Sequence, residues 1–123
     1  MNGQAAVLDI NQAFYRAMRD GDIAAMEEIW AQRSVVTCTH PSSPMVTGRD
    51  AVITSWRQIF DFSGPIPVAE SNCQAIVTGQ TALVVCEERV SRFLMIASNA
   101  FRIEEGVWKM INHQAAASPE PPR

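Results

Sequence analysis

The sequence lacks the residue patterns of several common kinds of functional site. Its three cysteines form no CxxC pair and its two histidines, His40 and His113, are far apart, so neither set predicts a zinc site or a disulfide framework. It has no nucleophile elbow and no phosphate-binding loop, and aspartate is absent after Asp61. We therefore expect no metal and no cofactor. Acid-base chemistry on the strands of the second half has no aspartate available, and Glu88, with Tyr15 or His40 as donor, could take that role.

Positive charge is also scarce. Ten lysines and arginines stand against 13 aspartates and glutamates, which gives a net charge of -3 and an isoelectric point near 5.3. The basic residues are scattered, which argues against the basic stripe that binds nucleic acid. No apolar run approaches the roughly 20 residues that span a bilayer, and Asp9 and Arg16 interrupt the segment where a signal peptide needs an apolar core. We expect a cytoplasmic protein with no nucleic-acid or membrane partner.

What the sequence does contain is the composition of one small globular domain. Of its 123 residues, 47% are apolar and 19% are charged, and a chain of this length buries roughly two-thirds of its surface on folding. We predict a single domain over residues 1–114. Residues 115–123 include three prolines and no large apolar side chain, so we expect them to form a disordered tail.

Helices are predicted in the first half of the chain. Apolar residues recur at helical spacing over residues 4–20, and Asp22 is a suitable N-cap for a second helix that fades near Gln32. Thr47 and Asp50 resemble a capping box at the start of a third helix. The inner face of that helix is predicted to contain Ala51, Val52, Ser55, Trp56, Ile59 and Phe60.

Strands are predicted to alternate with tight turns in the second half. A first strand over residues 35–40 should close at His40, because a residue that precedes proline favours extended geometry. Two hairpins follow, with two-residue turns that contain glycine. Their strands are 66–78 with 81–90, and 93–104 with 107–114. The result is an α+β fold with three helices on one face of an antiparallel sheet.

The turn lengths set which side chains share a face of this sheet. A two-residue turn at Ser91-Arg92 places Glu88 opposite Met95. The face toward the helices then contains Val84, Cys86, Val90, Phe93, Met95, Phe101, Ile103, Trp108 and Met110, with Glu88, Asn99, Asn112 and Gln114 as polar members. The outer face contains Ile76, Leu83, Val85, Leu94, Ile96, Ala100 and Ile111, flanked by Glu87, Arg102, Lys109 and His113. Since three helices cannot cover both faces, we expect a homodimer through the outer face.

Several segments together resemble the SnoaL-like branch of the nuclear transport factor 2 superfamily. They are HP at 40–41 followed by GRDAVITSW at 48–56, VVCEE at 84–88, and ASNAFRIEEGVWKMINHQAAASP at 97–119. Such relatives often end in a run of histidines before Ser-Pro, whereas this chain has a single histidine there. The resemblance implies a cone: three N-terminal helices packed in the concave face of a strongly curved antiparallel sheet, with a pocket at the open end and dimerisation through the outer face.

Two kinds of function remain open. The family that the chain resembles includes enzymes, such as ketosteroid isomerase and scytalone dehydratase, and binding modules that catalyse nothing. We favour a domain whose largely apolar pocket binds a small organic molecule. The alternative is a cofactor-free enzyme of isomerase, cyclase, dehydratase or hydrolase type that acts on a small apolar substrate, which requires a titratable group with a shifted pKa inside the pocket.

Glu88 and His40 are the candidate catalytic residues. A carboxyl group among aliphatic side chains should have a raised pKa, and histidine titrates near neutrality. Two alternatives stay open: His40 as a rim residue bonded to backbone, and Glu88 on the outer face if the turn at Ser91-Arg92 is one residue longer or shorter. The predicted ligand-binding residues are Tyr15, Trp30, Trp56, Met95, Asn99 and Asn112. The alternatives are that the tryptophans belong to the core, which is the commoner role of such residues, and that Asn99 and Asn112 form a cross-strand pair that satisfies itself.

Overall fold

The structure is a computed structural model that describes residues 3–119. Over this range the chain is an α+β fold of three helices and six strands. The helices are α1 (Gly3–Asp20), α2 (Ile23–Ile29) and α3 (Arg49–Ser63). The strands are β1 (Thr37–Thr39), β2 (Val46–Thr47), β3 (Val68–Thr78), β4 (Thr81–Val90), β5 (Phe93–Glu104) and β6 (Val107–Ala117).

The strands form one sheet in the order β2-β1-β6-β5-β4-β3. Every neighbouring pair is antiparallel except β1 and β6, which run parallel. Strand β2 was not predicted, and β1 is shorter than the predicted strand over 35–40. The backbone of His40 is used in a turn, since Ser43 N–H donates to His40 O at 3.0 Å. His40 therefore lies just beyond the sheet instead of closing a strand.

Helix α1 ends, and helix α2 begins, close to the predicted positions. Gly21, with a φ of 61°, ends α1 in the left-handed conformation that glycine tolerates best. Asp22 accepts a hydrogen bond from Ala25 N–H at 3.1 Å, which confirms it as the N-cap of α2. That helix ends at Ile29, earlier than predicted, because Trp30 is already extended.

The start of α3 differs from the prediction. Its N-cap is Gly48, with a φ of 95° and no side-chain cap. The predicted capping box of Thr47 and Asp50 is therefore wrong, because Thr47 pairs with Thr37 as part of β2. Within the helix, Val52, Ile53 and Trp56 are the buried residues, whereas Ala51 is exposed.

The three predicted two-residue turns are confirmed, and so are most cross-strand pairs. Gly79 has a φ of 60°, and Glu105 and Gly106 both have positive φ, as such tight turns require. The turn at Ser91-Arg92 joins Val90 directly to Phe93 in the ladder. The two glycine-containing turns predict the pairs Val77 with Ala82, Ala75 with Val84, Cys73 with Cys86, Ile103 with Trp108 and Phe101 with Met110, and the turn at Ser91-Arg92 predicts Glu88 with Met95 and Val84 with Asn99. The sheet contains all of these except Cys73 with Cys86, which is lost at the irregularity of β3 between Ser71 and Gln74.

A bulge in β6 reverses the predicted faces of the residues after it. Phe101 pairs with Met110, but its neighbour Ala100 pairs with Asn112, so that Ile111 is an extra residue in the ladder. One inserted residue moves each following side chain to the opposite face. As a result, His113 and not Asn112 lies opposite Asn99.

The predicted placements of three residues are therefore wrong. Asn112 and Gln114 were expected on the face toward the helices, yet Asn112 Oδ1 accepts a hydrogen bond from Thr37 Oγ1 at 2.8 Å, beside Ala100 of the outer face. His113, expected on the outer face, is 2% exposed and lies among the helix-facing side chains. The prediction was wrong because it assumed regular alternation along β6, without the extra residue Ile111.

The helices cover one face of the sheet. Helix α1 lies mainly across β3, and α3 packs against α2, β2 and β1. The core between them is apolar and aromatic, with Phe14 in edge contact with both Tyr15 and Trp56. Its largest fully buried side chains include Trp30, Trp56, Tyr15, Phe14, Phe101, Met26 and Met110.

The outer face of the sheet keeps apolar side chains in contact with solvent. Ile76 is 59% exposed and Ile96 is 40% exposed, and Leu83 lies beside Ile76 in the ladder. This agrees with the predicted outer face. Among residues 3–119 there is no helix with the length and hydropathy that crossing a membrane requires.

The sheet extends past the predicted domain boundary at Gln114. Residues 115–117 belong to β6, where Ala117 pairs with Met95 and Ala115 is buried. Ser118 N–H then donates to Leu94 O at 2.9 Å. The beginning of the predicted tail is thus part of the fold, because small alanine side chains still complete a backbone ladder. Residues 120–123 lie outside the described range.

Glu104 organises the loop after α2. Its carboxylate accepts hydrogen bonds from the backbone N–H groups of Gln32 (3.0 Å) and Ser34 (2.8 Å), from Arg33 N–H and from Ser34 Oγ. Partial burial raises the pKa of Glu104, but these donors outweigh it and hold the pKa below its ordinary value of 4.5. The ionised carboxylate therefore stabilises the loop.

Glu104→Gln should lower the free energy of unfolding at neutral pH by about 1 kcal/mol, a value that allows for screening by water. Because the folded pKa is depressed, the stabilisation is present above pH 4.5 and is lost as the pH falls through the folded pKa. Urea unfolding at neutral and acidic pH measures this. Glu105→Gln is the control, since it removes only an exposed ion pair with Arg33. Equal losses in both variants would contradict the assignment.

Candidate functional site

A cavity of about 160 Å³ lies between α3 and the helix-facing side of β4, β5 and β6. We call it the inner pocket. Its polar members are Glu88, His40 and His113. Its apolar wall includes Met18, Trp56, Ile59, Ile66, Val90 and Met95. The structure thus brings four of the predicted site residues to one cavity: Glu88, His40, Trp56 and Met95.

Glu88 is the buried acid of the inner pocket. As predicted it faces the helices, and it is 2% exposed. Tyr15 Oη donates a hydrogen bond of 2.5 Å to Glu88 Oε2, while Oε1 has no hydrogen-bond partner among residues 3–119. Burial raises the pKa of Glu88, the bond from Tyr15 lowers it, and the charge of Glu70 on β3 raises it; the net pKa lies above the ordinary value of 4.5.

Tyr15 joins this acid to a buried chain of polar side chains. Asn99 Nδ2 donates to Tyr15 Oη at 3.1 Å and to Asn11 Oδ1 at 2.9 Å. Asn99 Oδ1 lies 2.6 Å from Nδ1 of His113. Burial and the nearby Glu88 raise the pKa of Tyr15 far above its ordinary value, so the phenol stays protonated and acts as a donor. We call this series, His113-Asn99-Tyr15-Glu88, the polar chain.

His113 is the site residue that sequence reasoning missed. Its ring packs 4.9 Å from Phe14 and 5.9 Å from Trp56, centroid to centroid. Burial, with a smaller effect of His40, lowers the pKa of His113 to about 3, so the imidazole is neutral at physiological pH. The available signal was its position, where relatives of the family that the chain resembles often carry several histidines; strand alternation alone pointed outward.

His40 stands at the edge of the inner pocket, held by α3. Its Nε2 lies 3.0 Å from Ser55 Oγ, and the ring meets Trp56 edge-on with centroids 4.7 Å apart. Because the Ser55 hydroxyl donates to Val52 O at 2.6 Å, the Ser55 oxygen acts as an acceptor and His40 Nε2 carries the proton. Burial lowers the pKa of His40, which keeps the ring neutral.

The remaining predicted site residues have other positions. Trp30 is fully buried against Phe14 and does not line the inner pocket, so it is a core residue. Asn112 bonds to Thr37 away from the pocket. Tyr15 and Asn99 form the polar chain behind the pocket wall. Ser55, predicted only as part of a helix face, positions His40.

A wider, open groove of about 410 Å³ adjoins the inner pocket. The two cavities share His40 and Ile59. Exposed Phe62 and the loop at Ser43 and Pro44 form the far wall of the groove. A molecule seated in the inner pocket can therefore extend past His40 to the surface.

The described residues offer no ready metal site. Within residues 3–119, no group of three or more His, Cys, Asp or Glu side chains is placed to hold a metal ion. The cysteine thiols nearest the site are poor ligands and nucleophiles, since burial raises the pKa of both Cys38 and Cys86 to about 12. The chemistry that this arrangement supports is proton transfer and hydrogen bonding.

The fold and the pocket can now be compared with known proteins. A family model described as a SnoaL-like domain matches residues 7–119. The chain belongs to the SnoaL-like family. Many solved structures share its fold, which confirms the NTF2-like architecture that the sequence resembled.

Individual relatives of this SnoaL-like domain differ in what they are described to do. A proposed dehydratase of the NTF2-like family from Streptomyces avermitilis is 29% identical, with 93% of this chain and 95% of that chain covered and a TM-score of 0.84. A proposed calcium/calmodulin-dependent protein kinase type II association domain from Thiobacillus denitrificans is 25% identical, with 89% and 93% covered and a TM-score of 0.80.

A curated relative is the F-box protein SKIP8 of Arabidopsis thaliana, which is 24% identical over 113 residues. The match covers 90% of the SnoaL-like chain but 49% of SKIP8, so the chain spans about half the length of the curated protein that it matches. The similarity therefore concerns one part of that larger protein.

The raised pKa of Glu88 predicts an unusual pH dependence of stability. A carboxyl whose folded pKa is raised contributes stability that is complete below pH 4.5 and is lost as the pH rises through the folded pKa. Glu88→Gln keeps an acceptor for Tyr15 and removes the titration, so its melting temperature should exceed that of the wild type by a few degrees at neutral pH and match it at acidic pH.

Thermal unfolding followed by circular dichroism from acidic to neutral pH measures this difference. Glu87→Gln is the matched control, because Glu87 is the next residue of β4 and pairs with Ile96 on the outer face. Parallel pH profiles for wild type and Glu88→Gln would show that the pKa of Glu88 is not raised.

Proposed function

We propose that the chain is a small-molecule binding domain whose ligand occupies the inner pocket. The observation that carries this proposal is the pocket itself, a mostly apolar cavity into which three polar side chains, Glu88, His40 and His113, converge. A pure interaction module would need no such cavity. In keeping with the resemblance, we take the sheet to curve around the helices as a cone, and its bulges favour such curvature.

The size of the inner pocket limits the ligand. An apolar protein cavity of roughly 150 Å³ holds benzene, so the 160 Å³ of the inner pocket suit a single ring or a short branched chain. A longer ligand must extend through the opening beside His40 into the outer groove. We therefore propose a compact apolar body, with any larger substituent at the surface.

Filling the pocket should abolish binding. Met95→Trp places an indole on the pocket wall, so binding of toluene, followed by NMR shifts of the Trp56 indole N–H, should weaken at least tenfold. Val107→Trp is the control, because Val107 is exposed at the opposite end of β5 and β6. Trp30, which is buried outside the pocket, is an internal reference in each spectrum. Unchanged affinity in Met95→Trp would contradict binding in the inner pocket.

The second candidate is a cofactor-free enzyme that works by acid-base chemistry. It is favoured by the opposite pKa shifts of Glu88, raised by burial, and His40, lowered by burial, on the walls of one cavity. Burial thus favours the uncharged form of each group, and a neutral carboxylic acid beside a neutral imidazole can serve as acid and base. In an elimination, Glu88 would protonate the leaving hydroxyl while His40 accepts the proton from carbon, which yields an alkene and water. A relative proposed as a dehydratase supports this candidate.

Replacing Glu88 distinguishes a binding domain from an acid-base enzyme. In a screen of compact β-hydroxy ketones, Glu88→Gln should retain binding and lose turnover by about 100-fold or more. Tyr15→Phe should shift the alkaline limb of the pH-rate profile, where Glu88 loses its proton, to higher pH, because the bond from Tyr15 lowers the pKa of Glu88. Turnover that persists in Glu88→Gln would contradict catalysis by this acid. Binding without turnover in the wild type would leave the binding domain as the function.

We also propose that the domain forms a homodimer through the outer sheet face, supported by the exposed apolar side chains of Ile76, Leu83 and Ile96. A relative proposed as a kinase association domain is consistent with self-assembly. Ile96→Glu should give monomers in sedimentation experiments. Phe62→Glu, which changes a 93% exposed side chain on α3, should leave the dimer intact. A wild-type chain that is monomeric at micromolar concentration would end this proposal.

A further inference from the structure

Three polar atoms of residues that line the inner pocket have no hydrogen-bond partner among residues 3–119. Nε2 of His113 and Oε1 of Glu88 are left without a partner once the internal hydrogen bonds are assigned. The third is the indole Nε1 of Trp56, a buried donor. What they can do for a ligand depends on which atoms of the polar chain carry protons.

The direction of the polar chain follows from its geometry. Tyr15 donates its single proton to Glu88, so its oxygen can only accept the bond from Asn99. The Asn99 amide nitrogen must then face Tyr15, and its second proton is directed to Asn11 Oδ1. Asn99 Oδ1 is left facing His113 at 2.6 Å, and an amide oxygen only accepts. His113 Nδ1 therefore carries the imidazole proton.

This tautomer leaves an acceptor in the pocket. A neutral imidazole protonated at Nδ1 has a lone pair at Nε2. Glu88 Oε1 adds a second acceptor whenever the carboxyl is ionised. Within residues 3–119, the pocket lining contains no lysine or arginine, so neither a carboxylate nor a phosphate of a ligand would meet a counter-ion there.

We propose that the inner pocket selects ligands that present a hydrogen-bond donor, a hydroxyl or an ammonium group, to Nε2 of His113, and that it rejects anions. In this assignment His113 is a binding residue, and Asn99 is a positioning residue that holds its tautomer. The inference rests on the proposed function, since it specifies the head group of a ligand bound in the same pocket.

A series of four probes with one ring tests the head group: toluene, benzyl alcohol, benzylamine and benzoate. Dissociation constants come from titrations that follow the indole N–H of Trp56, with Trp30 as the internal reference. Benzyl alcohol or benzylamine should bind about three- to tenfold more tightly than toluene, as expected for one added hydrogen bond. Benzoate should bind at least about tenfold more weakly than benzyl alcohol. The relative affinities for benzyl alcohol and benzylamine show whether a hydroxyl or an ammonium group is the preferred donor.

The outcomes separate this inference from the proposed function. Equal affinity for toluene and benzyl alcohol would keep the binding pocket and overturn the donor preference. Preferred binding of benzoate would overturn it as well. If none of the four probes perturbs Trp56, the inner pocket does not bind compact molecules, and the proposed function falls together with the inference.

The protein without ligand gives an independent readout. Nitrogen-15 NMR of the His113 ring should show a protonated Nδ1 and an unprotonated Nε2, and a protonated Nε2 would overturn the proposal. His113→Phe keeps a ring against Phe14 and Trp56, and in this variant the advantage of benzyl alcohol over toluene should disappear. If that variant does not fold, the proposal is still tested by the wild-type protein, through the order of its affinities for the four probes and the tautomer of its His113 ring.

Discussion

The hydrogen bond from Tyr15 to Glu88 is the contact on which the site depends. A carboxyl group that is almost fully buried is strongly destabilising unless a donor meets it, and a buried phenol equally needs an acceptor. The 2.5 Å bond satisfies both and ties the middle of α1 to β4. Because the Tyr15 proton is used there, the direction of every further bond through Asn99 to His113 follows. One contact thus links helix packing, the state of the acid and the protonation of the histidine.

The bulge in β6 decides which side chains of this strand line the inner pocket. Without the extra residue Ile111, the pocket would contain Asn112, and the imidazole of His113 would point to the outer face. With it, His113 and Ala115 lie inside, and Asn112 is free to bond Thr37 of the parallel strand β1. The bulge therefore adds a side-chain bond between β6 and β1 and at the same time places an imidazole in the pocket.

Aromatic packing limits what the pocket can hold. Phe14, Trp56 and His113 contact one another through ring edges and faces, and they occupy much of the space between α1, α3 and the sheet. The remaining cavity has a volume of about 160 Å³, and an open groove of about 410 Å³ adjoins it beside His40. The fold of the SnoaL-like family does not decide between binding and catalysis. In this chain the choice between binding and catalysis depends on the few polar side chains that line the small, mostly apolar inner pocket.

The helices, the two hairpins, the three tight turns and the inward orientation of Glu88 could all be predicted from the sequence, because each depends on residues close together in the chain. Helical spacing, glycine at positive φ and strand alternation are local signals, and from Thr81 to Met95 the alternation is uninterrupted. The bulge at Ile111, the parallel pairing of β1 with β6, the inward position of His113 and the tautomer of its ring have no such signal. They are decided by contacts between segments far apart in sequence, Thr37 with Asn112 and Asn99 with Tyr15, which exist only once the helices and the sheet have packed together.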